Sequence, residues 1–301
     1  MSDLITYHGK PELKAAFLVE IGKHEAADQI IKGYYGRMNG QFAGCAIGCS
    51  LHSLNVLQGK AKEIDNVGDH ARMPTELGWP LWLAYLEDNI FERLPDELAT
   101  TWPRRLAEAI PVGVSVPDVV LAKLLRWMLI AETFGVVHTT GDAETKGIVQ
   151  RMGALFDRSI AGDEPAEAEW NEAARAAWDA WAAWDAWDAR DAWVARAAWA
   201  AWAAWAARDA WAARAARDAW AAWDAWAARA AWDARAAWDA RAARAAWDAW
   251  DAWDARDARA AWDAWAARAA RAAWAAWAAW DAFYPALSEE VLRLLRELDT
   301  P

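Results

Sequence analysis

The sequence contains no long apolar run, only two cysteines and no leader-like amino terminus. No stretch reaches the roughly 18 consecutive apolar residues that a transmembrane helix requires. Residues 1–4 carry neither the basic segment nor the apolar core of a signal peptide. Cys45 and Cys49 are too few for a disulfide framework. Together these absences predict a cytoplasmic protein that makes no membrane contact.

Positive charge is also scarce, since 32 Lys and Arg residues face 44 Asp and Glu residues, for a net charge of -12. A surface of this sign repels phosphates, which argues against a nucleic-acid binder. The Arg and Asp residues of the second half nearly balance, so the acidity belongs to the first half and the carboxyl end. Composition alone indicates no cofactor and no substrate class.

Glycine and proline are absent from residues 173–283, where a three-residue repeat replaces ordinary sequence. From Trp178 to Trp280 every third residue is Trp or Arg, at all 35 positions, and the residue that completes each triplet is always Ala. The middle residue is Ala or Asp, with Val194 as the single exception. This regularity marks the segment as a repeat region distinct from the preceding sequence.

Alanine-rich sequence without glycine or proline is strongly helical. In an α-helix a step of three residues falls about 60° short of a turn, so the 22 Trp of the triplets would face every side. Two arrangements remain open: several packed α-helices, or a long 3₁₀-helix that aligns the Trp and Arg positions. In either case the Trp side chains must be buried against other apolar surface. This predicts a homo-oligomer or a protein partner bound through the tail.

The remaining sequence predicts an all-α protein with four regions. These are a helical globular domain at 1–160, a linker and start of the tail at 161–174, the triplet repeat at 175–283, and a carboxyl-terminal amphipathic helix at 284–301. Helical periodicity and end signals predict helices at 11–32, 50–58, 80–94, 103–110, 117–134, 142–160 and, capped by Ser288, at 289–298. The glycine-rich residues 33–48 are predicted to form a loop.

Two thiols and an imidazole occur within eight residues, at Cys45, Cys49 and His52. If a helix begins near Ser50, Cys49 lies at its amino end, where the pKa of a thiol is lowered and its nucleophilicity raised. His52 would then stabilise the thiolate and Cys45 would be a second thiol. This grouping predicts a thiol-dependent enzyme or a redox protein.

The same cluster permits two other interpretations. Cys45, Cys49 and His52 are possible zinc ligands, with His8, His24 or His70 as a fourth ligand, although this spacing is not a standard zinc pattern. Alternatively both cysteines are small apolar residues that fill a tight turn. A separate acidic group, Glu87, Asp88 and Glu92, lies on one predicted helix, either for acid–base chemistry or as surface residues.

Three segments carry a resemblance to a known family: residues 44–52, residues 76–80 and residues 86–92. They resemble a family of bacterial and phage proteins that join a GCAxGCxxH-containing amino-terminal domain to an alanine-rich low-complexity tail. The resemblance implies a prokaryotic or phage cytoplasmic setting and no particular activity. The repeat therefore favours a structural or interaction protein, with a thiol-dependent enzyme or a metal-binding protein as alternatives.

Overall fold

The computed structural model describes residues 4–27, 29–138, 143–185 and 282–298. Within these ranges the protein is all-α, as predicted, apart from one short β-hairpin. The choice between α-helix and 3₁₀-helix for most of the tail falls on residues 186–281, outside the described residues. The described chain divides into two units, one made of residues 4–126 and 283–298 and the other of residues 127–185 and residue 282.

The first unit consists of short helices around one buried core. Its elements, after a 3₁₀ turn at Thr6–Gly9, are α1 (Pro11–Ala26), β1 (Arg37–Asn39), β2 (Gln41–Ala43), α2 (Ala46–Leu57), α3 (Arg72–Leu77), α4 (Leu81–Arg93), α5 (Asp96–Ala99), α6 (Trp102–Ala109), the start of α7 (Asp118–Ile130), and most of α10, which covers residues 282–296. Helices α1, α2, α4 and α6 pack on one another. Trp79 lies fully buried, with the rings of Tyr7 and Phe17 edge-on to it at 6.0 Å.

Two boundaries at the start of the chain differ from the prediction. Helix α1 ends at Ala26 rather than at residue 32, because the chain turns back and the Gln29 amide donates to the His24 carbonyl. The predicted loop at 33–48 contains the β1–β2 hairpin, which reverses at Gly40, a residue with a φ of 78°. A glycine at this conformation permits the turn. Helix α2 begins at Ala46, four residues before the predicted start.

The carboxyl-terminal helix α10 is confirmed as a helix, but Ser288 is not its cap. The chain is already helical from residue 282, so Ser288 lies in the helix interior. Its hydroxyl donates to the Pro285 carbonyl at 2.7 Å, a bond that lets serine sit inside a helix. Arg105 of α6 pairs with Glu289 at 2.6 Å on the same unit.

The second unit contains the end of α7, a 3₁₀ turn at Val136–His138, α8 (Ala143–Ile160) and α9 (Glu167–Asp185). Helices α8 and α9 pack on one another, and the buried Trp170 of α9 meets Phe156 of α8 at 4.9 Å between ring centroids. Across all the ranges given above, no helix has the length and apolar character needed to cross a membrane.

Candidate functional site

The predicted cysteine motif lies where the segment before β1 crosses the amino end of α2. Cys45 immediately precedes the helix, and its N–H donates to the Tyr34 carbonyl at 2.7 Å. A Cβ on Gly48 would lie 1.5 Å from the Tyr35 carbonyl oxygen, and a Cβ on Gly44 would lie 2.3 Å from the same atom. Both positions therefore require glycine, because the main chain passes through the space that a side chain would occupy.

Cys49 is fully buried and is the fourth residue of α2. The prediction had placed it at the amino terminus of this helix. Its thiol donates to the Gly44 carbonyl at 3.3 Å. Burial is the main cause that raises the pKa of Cys49 to about 12. Since the thiolate is the nucleophilic form, a thiol with this pKa is almost inert at neutral pH.

Cys45 contacts a different set of groups, on α4. Its sulfur and one carboxylate oxygen each from Asp88 and Glu92 all lie within 4.8 Å of one another. Cys45 is 1% exposed and Glu92 is exposed, so the cluster reaches from the core to the surface. Burial and then the charge of Asp88 raise the pKa of Cys45, and burial also raises the pKa of Glu92.

The two carboxylates of this cluster have further neighbours. Both oxygens of Glu92 accept from the Gly33 N–H, at 3.1 and 3.2 Å. Asp88 Oδ2 lies 3.4 Å from Nε2 of the buried His70, whose ring stacks on Tyr85 at 4.4 Å. The i, i+4 spacing of Asp88 and Glu92 on a helix is visible in the sequence. Their approach to Cys45 is a tertiary contact that no local sequence pattern predicts.

His52 forms contacts with residues other than the two cysteines. Its Nδ1 lies 3.1 Å from Nε2 of His24, its Nε2 donates to the Ala61 carbonyl at 3.0 Å, and its ring stacks on Phe42 at 4.0 Å. Burial is the main cause that lowers the pKa of both histidines. The structure therefore brings His52 together with His24, in a pair that the sequence does not predict.

Glu87, the third acidic residue of α4, is fully buried. Ser50 of α2 donates to its Oε1 at 2.8 Å, and the indole N–H of Trp102 donates to its main-chain carbonyl at 2.9 Å. Burial raises the pKa of Glu87 to about 8, so its carboxyl group is mostly protonated at neutral pH. Of the three acidic residues, Glu87 is part of the core, whereas Asp88 and Glu92 join Cys45.

The three residues predicted as a catalytic or metal-binding set thus lie on one helical segment but point to different neighbours. Within the described parts of the chain, the group close enough to share a cation is Cys45 with Asp88 and Glu92. Of the histidines considered as a fourth ligand, His8 is exposed in the 3₁₀ turn, His24 pairs with His52, and His70 lies beside Asp88. Both cysteines are free thiols.

Comparison with known proteins adds no assignment to this geometry. The bacterial and phage resemblance given by residues 44–52 stays a prediction. No protein-family model, no curated protein and no solved structure matches the chain.

Proposed function

We propose that the protein is an interaction or assembly protein whose Trp-rich repeat binds a second copy of the chain. The observation that carries the proposal is the repeat itself, with 22 Trp at 35 successive third positions. At roughly 200 Å² each and about 25 cal/mol/Å², their burial is worth on the order of 100 kcal/mol before entropy is counted. An identical repeat on a second chain offers a matching apolar surface.

The first triplets support this proposal because they already distinguish buried from exposed positions. In α9, Ala174 and Ala177, which hold the always-Ala phase, are buried, as is Ala173 in the Ala/Asp phase, whereas Arg175 and Asp179 are exposed. Trp170, Ala174 and Ala177 form a buried stripe at helical spacing on α9, the helix that packs against α8. We infer that the invariant Ala marks the line of closest approach in the repeat, and that the charged positions remain hydrated.

This proposal predicts that the full chain, with a monomer mass of 33.5 kDa, associates with increasing concentration. Light scattering coupled to size exclusion measures the mass. Ala225→Leu should overpack the Ala line and cost about 1–3 kcal/mol of stability, with weaker association. The adjacent Asp224→Ala, a substitution that the repeat already makes elsewhere, should leave both unchanged. A monomer at all concentrations, or equal effects from both variants, would contradict self-association through the Ala line.

The alternative, a thiol-dependent enzyme or redox protein, has the proximity of Cys45, Cys49 and His52 in its favour. The raised pKa values of the two thiols oppose it, because both are held as poorly reactive S–H groups. We expect a disulfide reagent to modify both cysteines of the folded protein at neutral pH much more slowly than it modifies an exposed thiol. In denaturant both cysteines should react as fast as an exposed thiol. Fast modification of Cys49 in the folded protein would restore the thiol mechanism.

A further inference from the structure

We propose that Cys45, Asp88 and Glu92 bind one zinc ion or a chemically similar transition-metal dication. The three ligand atoms already lie within 4.8 Å of one another. Zinc bonds of about 2.3 Å to sulfur and 2.0–2.2 Å to oxygen place tetrahedral ligands roughly 3.6 Å apart. The side chains therefore need to move by only about 1 Å to close around an ion. The site does not depend on the repeat or on its proposed role in association.

Rigid elements hold each of the three ligands. Cys45 is fixed at the start of α2 by the bond from its N–H to Tyr34. Asp88 and Glu92 project from the same face of α4, one turn apart, and the Gly33 amide orients the Glu92 carboxylate. Ligands that are positioned before the ion arrives lose little entropy when it binds.

His70 provides a second, independent indication of a cation. Its side chain is 6% exposed, and its Nδ1 lies 3.1 Å from the Gly68 carbonyl. A carbonyl only accepts, so Nδ1 carries a proton that it donates to Gly68. The buried Nε2 lies 3.4 Å from Asp88 Oδ2 and has no hydrogen-bond partner among the described atoms. A buried polar atom without a partner beside a carboxylate indicates that a further group belongs at this position.

The carboxylate of Asp88 also has a buried polar atom without a partner. Its Oδ1 is buried and has no hydrogen-bond partner among the described atoms. A buried carboxylate oxygen without a partner is costly, and a bound cation removes that cost. His70 lies against the other oxygen of this carboxylate and so holds its orientation. We therefore assign His70 as a positioning residue that acts through Asp88.

The donor set selects the type of ion. Thiolate sulfur is a soft donor that favours zinc and similar transition metals, whereas calcium and magnesium prefer sites made of oxygen alone. Binding replaces the proton of the Cys45 thiol, which passes to solvent. Three protein ligands leave one position of a tetrahedral zinc ion for water, and the exposure of Glu92 gives that position access to solvent.

Cobalt titration of the full chain tests the proposal, with protein purified without a polyhistidine tag and freed of metal by a chelator. A sulfur-to-cobalt charge-transfer band, at longer wavelength than Trp absorption, reports ligation by thiolate. We expect one cobalt or zinc ion per chain and a charge-transfer band that Cys45→Ser abolishes. The matched control is Cys49→Ser, four residues later on the same helix segment, which should keep the band and the affinity.

Two further variants separate ligation from loss of fold. Glu92→Gln changes an exposed side chain and should weaken cobalt binding by more than about 100-fold while the metal-free melting temperature stays unchanged. His70→Gln should retain the band but weaken binding by about 10- to 100-fold. Absence of stoichiometric binding, a band that survives Cys45→Ser, or equal loss in Cys45→Ser and Cys49→Ser would overturn the proposal. None of these outcomes bears on association, which light scattering measures separately.

Discussion

Replacement of Gly48 with Ala is expected to destabilise the first unit by about 3 kcal/mol or more. The new methyl group would be placed 1.5 Å from the Tyr35 carbonyl oxygen and 2.7 Å from its carbon. These are main-chain atoms, which cannot rotate away as the end of a side chain can. The segment before β1 must therefore separate from α2, and the bond between the Cys45 amide and Tyr34 is lost with it.

Gly22→Ala is the matched control for this substitution. Gly22 also lies inside a helix, α1, but apart from its chain neighbours and the backbone of that helix no described atom comes within 4 Å of the position its Cβ would take. Alanine there should stabilise the protein by about 0.5–1 kcal/mol, since it has the higher helix propensity. The same substitution is therefore expected to destabilise the protein at Gly48 and to stabilise it at Gly22.

Modification of Cys45 and Cys49 during a urea titration measures both variants. These thiols are buried in the first unit, so their exposure reports unfolding of α2 without a signal from the Trp-rich tail. Each titration is run at one low protein concentration, so that association does not contribute. Equal urea midpoints for Gly48→Ala and the unmodified protein would show that a methyl group on residue 48 does not clash with the Tyr35 main chain.

Gly48 also shows why the fold was only partly predictable. Helices α4, α6 and α8 follow the predicted ranges closely, because apolar spacing and proline mark them locally, whereas α7 ends at Ile130, four residues before the predicted end. A glycine at position 48 normally argues against a helix, so the predicted start of α2 falls after it, at Ser50. Its actual role is to admit the Tyr35 main chain, which depends on a residue 13 positions earlier in the chain.

The candidate site was likewise only partly predictable from the sequence. Cys45 and Cys49 were identifiable from sequence as unusual, since they are the two cysteines of the chain and closely precede a predicted helix start. Proximity in sequence suggested that His52 would join them, whereas the turn of α2 directs its ring towards His24 and Phe42. The carboxylates that do approach Cys45 lie some 40 residues later, and only the packing of α2 against α4 brings them there.

The pH dependence of stability provides the second large expected effect, through Glu87. Its pKa is raised by burial from the ordinary value of 4.5 to about 8. Between these values the folded protein keeps the proton and the unfolded chain releases it, so stability is fully present below pH 4.5 and falls as pH rises. At about 1.4 kcal/mol per pH unit, the loss between pH 5 and pH 8 is on the order of 4 kcal/mol.

Glu87→Gln should abolish this loss, because the amide is neutral at every pH and its oxygen can still accept from Ser50. At pH 5 the variant should be less stable than the unmodified protein by about 1 kcal/mol, since the amide N–H groups replace Oε2, which has no partner in the described chain. At pH 8 the order should reverse, with the variant more stable by a few kcal/mol.

Urea titrations from pH 5 to pH 9, read by thiol modification and run with a chelator so that no ion at Asp88 contributes, give the two stability curves. The informative quantity is their difference, in which titrations common to both proteins cancel. Glu97→Gln, at an exposed position on α5, should give a curve parallel to that of the unmodified protein. If the Glu87→Gln curve is parallel as well, Glu87 must be ionised in the core, and a positive charge must lie close enough to it to offset the cost of burial.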